Sequence, residues 1–214
     1  FDSDVLVVGA GPVGLTLAMD LARRGVKVHI VEVRQFAEPP NVKCNHVSAR
    51  SMENFRRLGV APSLRDAGLP EDYPNDVVFR TAMTGTELTR IPIPCRKNRY
   101  TERGGPDTEW DTPEPPHRIN QIFLEPLLLK HAVAQDGVTL INRTQVTDFV
   151  QDDTGVSVTL LNLETQESQV FQEIKNDPVT TFEAPTAPKT VAPKPKAAPR
   201  PKPASNEGPT LFDF

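Results

Sequence analysis

The residues best placed to do chemistry sit near the start of the chain. Gly9-x-Gly11-x-x-Gly14 directly follows the apolar run Asp4-Val5-Leu6-Val7-Val8, and Glu32 stands eighteen positions beyond Gly14. Each glycine has its own task. Gly9 permits a tight turn, Gly11 lets a diphosphate approach the backbone, and Gly14 lets a helix pack closely on a strand. The amide N–H groups of such a turn and the positive end of the helix dipole then face the phosphates. Glu32 ends the next apolar run and is placed to accept hydrogen bonds from ribose hydroxyls. This spacing implies a bound dinucleotide but does not by itself separate NAD from FAD.

The other reactive side chains form no such constellation. His29 reads as a strand-face residue. His46 follows Lys43 and Cys44 in a loop and is a candidate to approach a cofactor. His117 and His131 have no partners at ligand spacing, so no metal site is expected. Asp107, Glu109, Asp111 and Glu114 surround Trp110 on a polar stretch and read as a solvated run. Cys44 reads as an ordinary loop cysteine, and Arg50 as a partner for its own helix. No Ser-His-Asp arrangement is present, and no catalytic residue is assigned.

The elements that must position these groups follow from periodicity. Strand 4–8, the glycine turn, a helix with Val13, Leu17 and Leu21 on one stripe beside Ala18, a stop at Gly25 and strand 26–31 make one βαβ unit, hence a parallel sheet. Ser48 is placed to cap a helix carrying Met52, Phe55 and Leu58 on one face, ended by Gly59. Residues 76–83 and 87–93 read as a hairpin across Thr84-Gly85-Thr86. Residues 96–117 read as a long polar loop. A further helix is expected to begin just after Gln121, because Pro126 is tolerated only in a first turn. Its buried stripe is Leu124, Leu127, Leu128 and Ala132. A strand at 138–141 and an antiparallel pair at 145–151 and 155–162 complete the ordered part.

Composition sets the remaining bounds. A net charge of -4 argues against a general nucleic-acid binder. There is no apolar run long enough for a spanning helix and no signal-peptide pattern, so no membrane association is expected. Two distant cysteines in 214 residues suggest reduced thiols and a cytoplasmic setting. Nine of the 22 prolines fall in the last 38 residues, where Lys-Pro and Arg-Pro alternate. Residues 169–214 therefore read as a disordered tail. Its apolar end, Leu211 to Phe214, is either a chance hydrophobic terminus or a docking peptide for a partner.

Over roughly residues 3–165 the chain resembles the class A FAD-dependent aromatic hydroxylases, flavoprotein monooxygenases related to para-hydroxybenzoate hydroxylase. The landmarks are the fingerprint from Asp4 to Glu32 with Ala18 and Gly25, and the acid-x-Arg ending Glu32-Val33-Arg34. They continue with the helix start Asn45-His46-Val47-Ser48-Ala49-Arg50-Ser51-Met52-Glu53 and the segment Arg118-Ile119-Asn120-Gln121 followed by Leu124-Glu125-Pro126-Leu127. The resemblance implies an α/β fold. A Rossmann-like FAD-binding domain occupies 1–75 and resumes over 119–168. The start of an interleaved antiparallel substrate-side sheet, with its long loop, occupies 76–118. It implies FAD as cofactor, held by Gly9, Gly11, Pro12, Gly14 and Glu32, with Arg34 and Lys43 as basic partners. Gln121 would lie by the ribityl chain, and Arg118 is a weaker candidate. It also implies NADH or NADPH as reductant, O2 as co-substrate and a small phenolic substrate.

The chain also departs from that pattern. Relatives carry a later Asp-Gly pair and a Gly-Asp pair. Here no Gly-Asp dipeptide occurs, and Asp136-Gly137 merely ends a helix. The sequence therefore reads as the first part of a flavin hydroxylase. The alternatives are a non-catalytic rearranged fragment, a protein acting through its tail, and an NAD-linked dehydrogenase.

Overall fold

A computed structural model describes residues 3–41, 43–153 and 155–172. The proline-rich tail and the Leu211–Phe214 peptide lie outside the described residues. In chain order the elements are β1 (Val5–Val8), α1 (Pro12–Ala22), β2 (Val28–Val31), β3 (His46–Val47), α2 (Ala49–Arg57), α3 (Ala61–Asp66), β4 (Val77–Arg80) and β5 (Glu87–Ile91). They continue with β6 (His117–Arg118), α4 (Gln121–Val133), β7 (Val138–Ile141), β8 (Thr144–Asp152), β9 (Gly155–Asn162) and β10 (Ser168–Gln172).

The βαβ expectation holds. β1 pairs with β2 in parallel, Val5 opposite Val28, and β2 pairs with β7 in parallel, Val28 opposite Val138. The sheet order is β1-β2-β7, with α1 and α4 as the crossover helices. β2 is buried along its whole length, as a strand covered on both faces must be. Leu15, Ala18, Met19, Ile30, Met52, Leu64 and Leu128 belong to one apolar core. Gly25, Gly59 and Gly137 take positive φ, as helix-ending glycines do.

The buried face of α1 differs from the expected stripe. Leu15, Ala18 and Met19 go inward, while Val13 is 83% and Leu17 47% exposed. The helix is apolar nearly all round, so the i, i+4, i+8 series picked one of two apolar faces. The face that counts is set by the close approach of Gly14 to β1. The start of α4 differs as well. Asn120 accepts a hydrogen bond from the Ile122 amide, so the helix begins at Gln121 and Pro126 lies inside it. A good cap outweighs the proline here, because Ile122, whose carbonyl loses its amide partner, is solvent-exposed. α2 behaves as expected. Ser48 caps the Ser51 amide, and Met52 and Phe55 are buried.

Residues 77–91 form the expected hairpin, β4 against β5, with a bulge at Phe79/Arg80. The stretch 96–117 is less loop-like than its composition suggests. It contains a short 3-10 turn at Arg96–Asn98, buries Arg99, Thr108, Pro115, Pro116 and His117, and ends in β6, which pairs with β3. Its acids are not simply solvated. Glu114 bridges Arg65 at 2.9 Å, and Asp107 bridges Arg99. β8, β9 and β10 form a separate antiparallel sheet. β10 takes the described strand structure to Gln172, past Gln169 where the tail is expected to begin. Its Phe171 packs with Val31, Val158 and Leu160 in a second apolar cluster, which covers residues that composition alone leaves in a tail. No helix among the described residues is long and apolar enough to cross a membrane.

Candidate functional site: the glycine elbow and its carboxylates

β1 delivers the chain into Gly9, whose φ of +98° only glycine adopts without strain. Gly11 is the N-cap of α1 and Pro12 its first residue, so the fixed φ of proline starts the helix. A Cβ built on Gly9 or Gly11 meets nothing within 4 Å, whereas one on Gly14 lies 2.1 Å from the Gly9 carbonyl oxygen. The first two glycines thus open a space, and the third closes the helix onto the strand. No side chain caps the first turn of α1. Its amides and the helix dipole are therefore offered outward, which suits a diphosphate. On this geometry the elbow fits the diphosphate of a dinucleotide.

Glu32 closes β2 beside the elbow and is buried. Its Oε2 accepts the Ala10 amide at 2.7 Å and Arg34 Nη2 at 3.2 Å. Its Oε1 accepts the Arg34 amide at 3.0 Å and Arg34 Nε at 3.1 Å. Burial works to raise the Glu32 pKa. The Arg34 side chain and the two backbone amides outweigh it and hold the carboxyl below its ordinary value. Hydrogen bonding to Glu32 in turn raises the Arg34 pKa, so the pair is fully ionised at neutral pH.

Arg34 does not stop at Glu32. Its Nη1 lies 2.6 Å from Glu125 Oε1, and Glu125 is buried on α4. Gln121 Nε2 donates to Glu125 Oε2 at 3.1 Å, and Gln121 Oε1 accepts the Lys43 amide at 3.3 Å. A continuous polar chain therefore runs from Ala10 through Glu32, Arg34, Glu125 and Gln121 to Lys43. It gathers the expected residues Glu32, Arg34 and Gln121 with the elbow. Lys43 joins through its backbone only, its side chain being exposed. Glu125 was missed by sequence reasoning. The signal that could have found it is its i+4 spacing from Gln121 on one helix face.

The remaining candidates fall elsewhere. Arg118 and His46 pair across β6 and β3 and line a different recess. Cys44 is exposed, with its thiol donating to the His46 carbonyl. Arg50 pairs with Glu53 on its own helix, as expected. His29 is buried on β2 against Phe171. His131 lies 3.4 Å from Ser63 Oγ. Among the described residues no group of His, Cys, Asp or Glu could hold a metal ion.

Comparison with known proteins agrees with this geometry. The model of the FAD binding domain matches residues 2–174. Phenol 2-monooxygenase of Pseudomonas sp. (strain EST1001) is 32% identical over 163 residues, covering 75% of this chain and 26% of that protein. Aklavinone 12-hydroxylase DnrF of Streptomyces peucetius subsp. caesius is 36% identical over 168 residues, covering 77% and 32%. Among solved structures, the rebeccamycin biosynthetic enzyme RebC with reduced flavin matches with TM-score 0.65 and 36% identity, over 78% of this chain and 30% of that one. The flavin-dependent monooxygenase PieE, in complex with FAD and substrate, matches with TM-score 0.66 and 26% identity, over 78% and 28%. The chain spans about a quarter to a third of the length of the curated relatives it matches over most of its own length. Since the family model covers residues 2–174, the chain belongs to the FAD binding domain family.

Proposed function

We propose that this chain supplies the FAD-holding part of an aromatic-ring monooxygenase that uses NADH or NADPH and O2 on a small phenolic substrate in the cytoplasm. When bound, FAD supplies electron transfer from the nicotinamide and activation of O2. The chain's own residues bind and orient it. The Gly11, Val13 and Gly14 amides, left over once the Gly9 amide has gone to the Val31 carbonyl and the Ala10 amide to Glu32, receive the diphosphate, with Pro12 holding the helix start. Glu32 and Arg34 receive the adenosine ribose. Gln121 and Lys43 lie toward the flavin end. The hairpin and loop of residues 76–118 form the substrate side, between the two FAD-binding stretches 1–75 and 119–168.

The observation that carries this reading is the open, uncapped elbow with Glu32 beside it. The Glu32 carboxylate already accepts four hydrogen bonds, about its full capacity. A ribose hydroxyl must therefore replace one donor. The amides of Ala10 and Arg34 are fixed by the backbone, so the Arg34 side chain is the group that yields. Titration of the purified chain with FAD and with NAD, followed by thermal unfolding, tests the proposal. FAD at about a hundred times its dissociation constant should add about 2.7 kcal/mol of stability. No protection by FAD, or protection by NAD alone, overturns it.

A further inference from the structure

A second polar site lies away from the elbow, between α3, β3, β6 and the turn at Arg96–Asn98. A recess of about 20 Å³ is lined there by His46, Arg65, Arg96, Arg99, His117 and Arg118. Four arginines line this space, and only two of them, Arg65 and Arg99, are in ion pairs. Glu114 bridges Arg65, and Asp107 bridges Arg99. Among the described residues the side chains of Arg96 and Arg118 have no ion pair. The Nε atoms of Arg96 and Arg99 are buried without a hydrogen-bond acceptor. The Arg99 residue is 4% exposed, so water does not satisfy that donor.

Buried donors are normally satisfied, and leaving one unpaired is costly. The histidines do not relieve the imbalance. His117 directs Nε2 at the Leu64 carbonyl, 2.8 Å away, so that nitrogen carries the proton and donates. The seat of this ring is itself enforced, since a Cβ on Gly68 would lie 2.6 Å from His117 Cε1. A lining with two uncompensated positive charges and two buried N–H donors without acceptors favours a negatively charged ligand.

We propose that this recess binds a small anion, with Arg96 and Arg118 as its charge partners and Arg99 as a buried donor. The volume limits what enters. About 20 Å³ admits a halide or a single oxygen of a larger group, and not a whole phosphate. The ligand is therefore a free monoatomic anion or the carboxylate of an aromatic acid reaching in from outside. The second source has a route. A cleft of about 440 Å³ adjoins the recess and shares Leu69, Asn75 and Arg118 with it. Phe123 offers that cleft an apolar wall. In its carboxylate form the inference adds a substrate class to the monooxygenase reading and rests on it. Anion binding itself does not.

The test uses the full chain without FAD, at constant ionic strength. Bromide, benzoate and the neutral control benzyl alcohol are titrated while the ring signals of His46 and His117 are followed by NMR. Saturable shifts with bromide alone identify a free anion as the ligand. Saturable shifts with benzoate, but not with benzyl alcohol, identify the carboxylate. In either case Arg96→Met should weaken binding about tenfold, as should Arg118→Met. Wild-type protein whose His46 and His117 signals do not respond saturably to bromide or benzoate overturns the proposal without relying on any variant. Equal affinity in a folded Arg96→Met variant also overturns it. FAD protection is measured separately, so failure here leaves the elbow reading standing, and the reverse holds too.

Discussion

Gly11 and Gly14 lie three positions apart and carry opposite demands. At Gly14 an added methyl meets the Gly9 carbonyl oxygen at 2.1 Å, a contact with backbone that cannot swing away. The roughly 1 kcal/mol that alanine gains in helix propensity does not offset such overpacking. Gly14→Ala should therefore lower unfolding stability by about 2 kcal/mol or more in a denaturant titration. At Gly11 the same methyl meets nothing, and the φ of -77° suits any residue. Gly11→Ala should leave stability nearly unchanged but weaken FAD at least tenfold, because the methyl occupies the space the diphosphate needs. His117 supplies a second prediction. Burial, with Arg65, Arg96 and His46 as further causes, pushes its pKa to about 4 against an ordinary 6.5, despite the opposing hydrogen bond to Leu64. The unfolded chain then binds the proton more readily. The stabilising effect is whole above pH 6.5 and is lost as pH falls toward 4. Between about pH 7 and pH 5 stability should drop by about 2 kcal/mol more in wild type than in a folded His117→Gln variant.

Among the elements, α1 shows what periodicity settles and what it leaves open. The strand, glycine turn, helix and strand were readable because each has a local cause: β-branched runs, glycine spacing, and a glycine stop. The buried face was not readable, because apolar residues occur on both sides of the helix and only the sheet decides between them. Leu15→Ala should cost about 2–5 kcal/mol in chemical denaturation, as a fully buried leucine does. Leu17→Gln should cost less than about 0.5 kcal/mol. The reverse ranking would restore the stripe of Val13, Leu17 and Leu21. α4 shows the same limit at a charged residue. Glu125 lies in an apolar helix stretch and owes its burial to Arg34, a partner far away in sequence that no local pattern announces. The loop 96–117 hid its order for a similar reason. Arg99, Glu114 and Asp107 look solvated one by one and become structural only through each other and Arg65.

For the molecule as a whole, the parallel sheet raises a question that no single residue does. Its order is β1-β2-β7, so β1 lies at an edge. A strand reading Val-Leu-Val-Val is suited to the middle of a parallel sheet, where both neighbours satisfy its amides and carbonyls. Instead its outer backbone groups have no partner strand among the described residues. Val8 is 65% exposed, and Val13 of α1, beyond the glycine turn, is 83% exposed. The edge strand carries no lysine, no proline and no bulge, and among the described residues its one safeguard is its length of four residues. A strand of a second molecule can add to such an edge, because the driving forces are the same backbone hydrogen bonds and apolar contacts that hold β2 on the other side. The chain alone should therefore self-associate with rising concentration, seen as a growing weight-average mass in sedimentation equilibrium. Val8→Lys puts a charge on that edge without touching the core, since Val8 is exposed, and should shift the association midpoint to about tenfold higher concentration or more. Saturating FAD, bound at the elbow where β1 ends, should leave the association largely intact, because the diphosphate engages the amides of the turn and of α1 and not the outer edge of β1. Association that FAD abolishes, in wild type and Val8→Lys alike, would place the contact at the elbow instead.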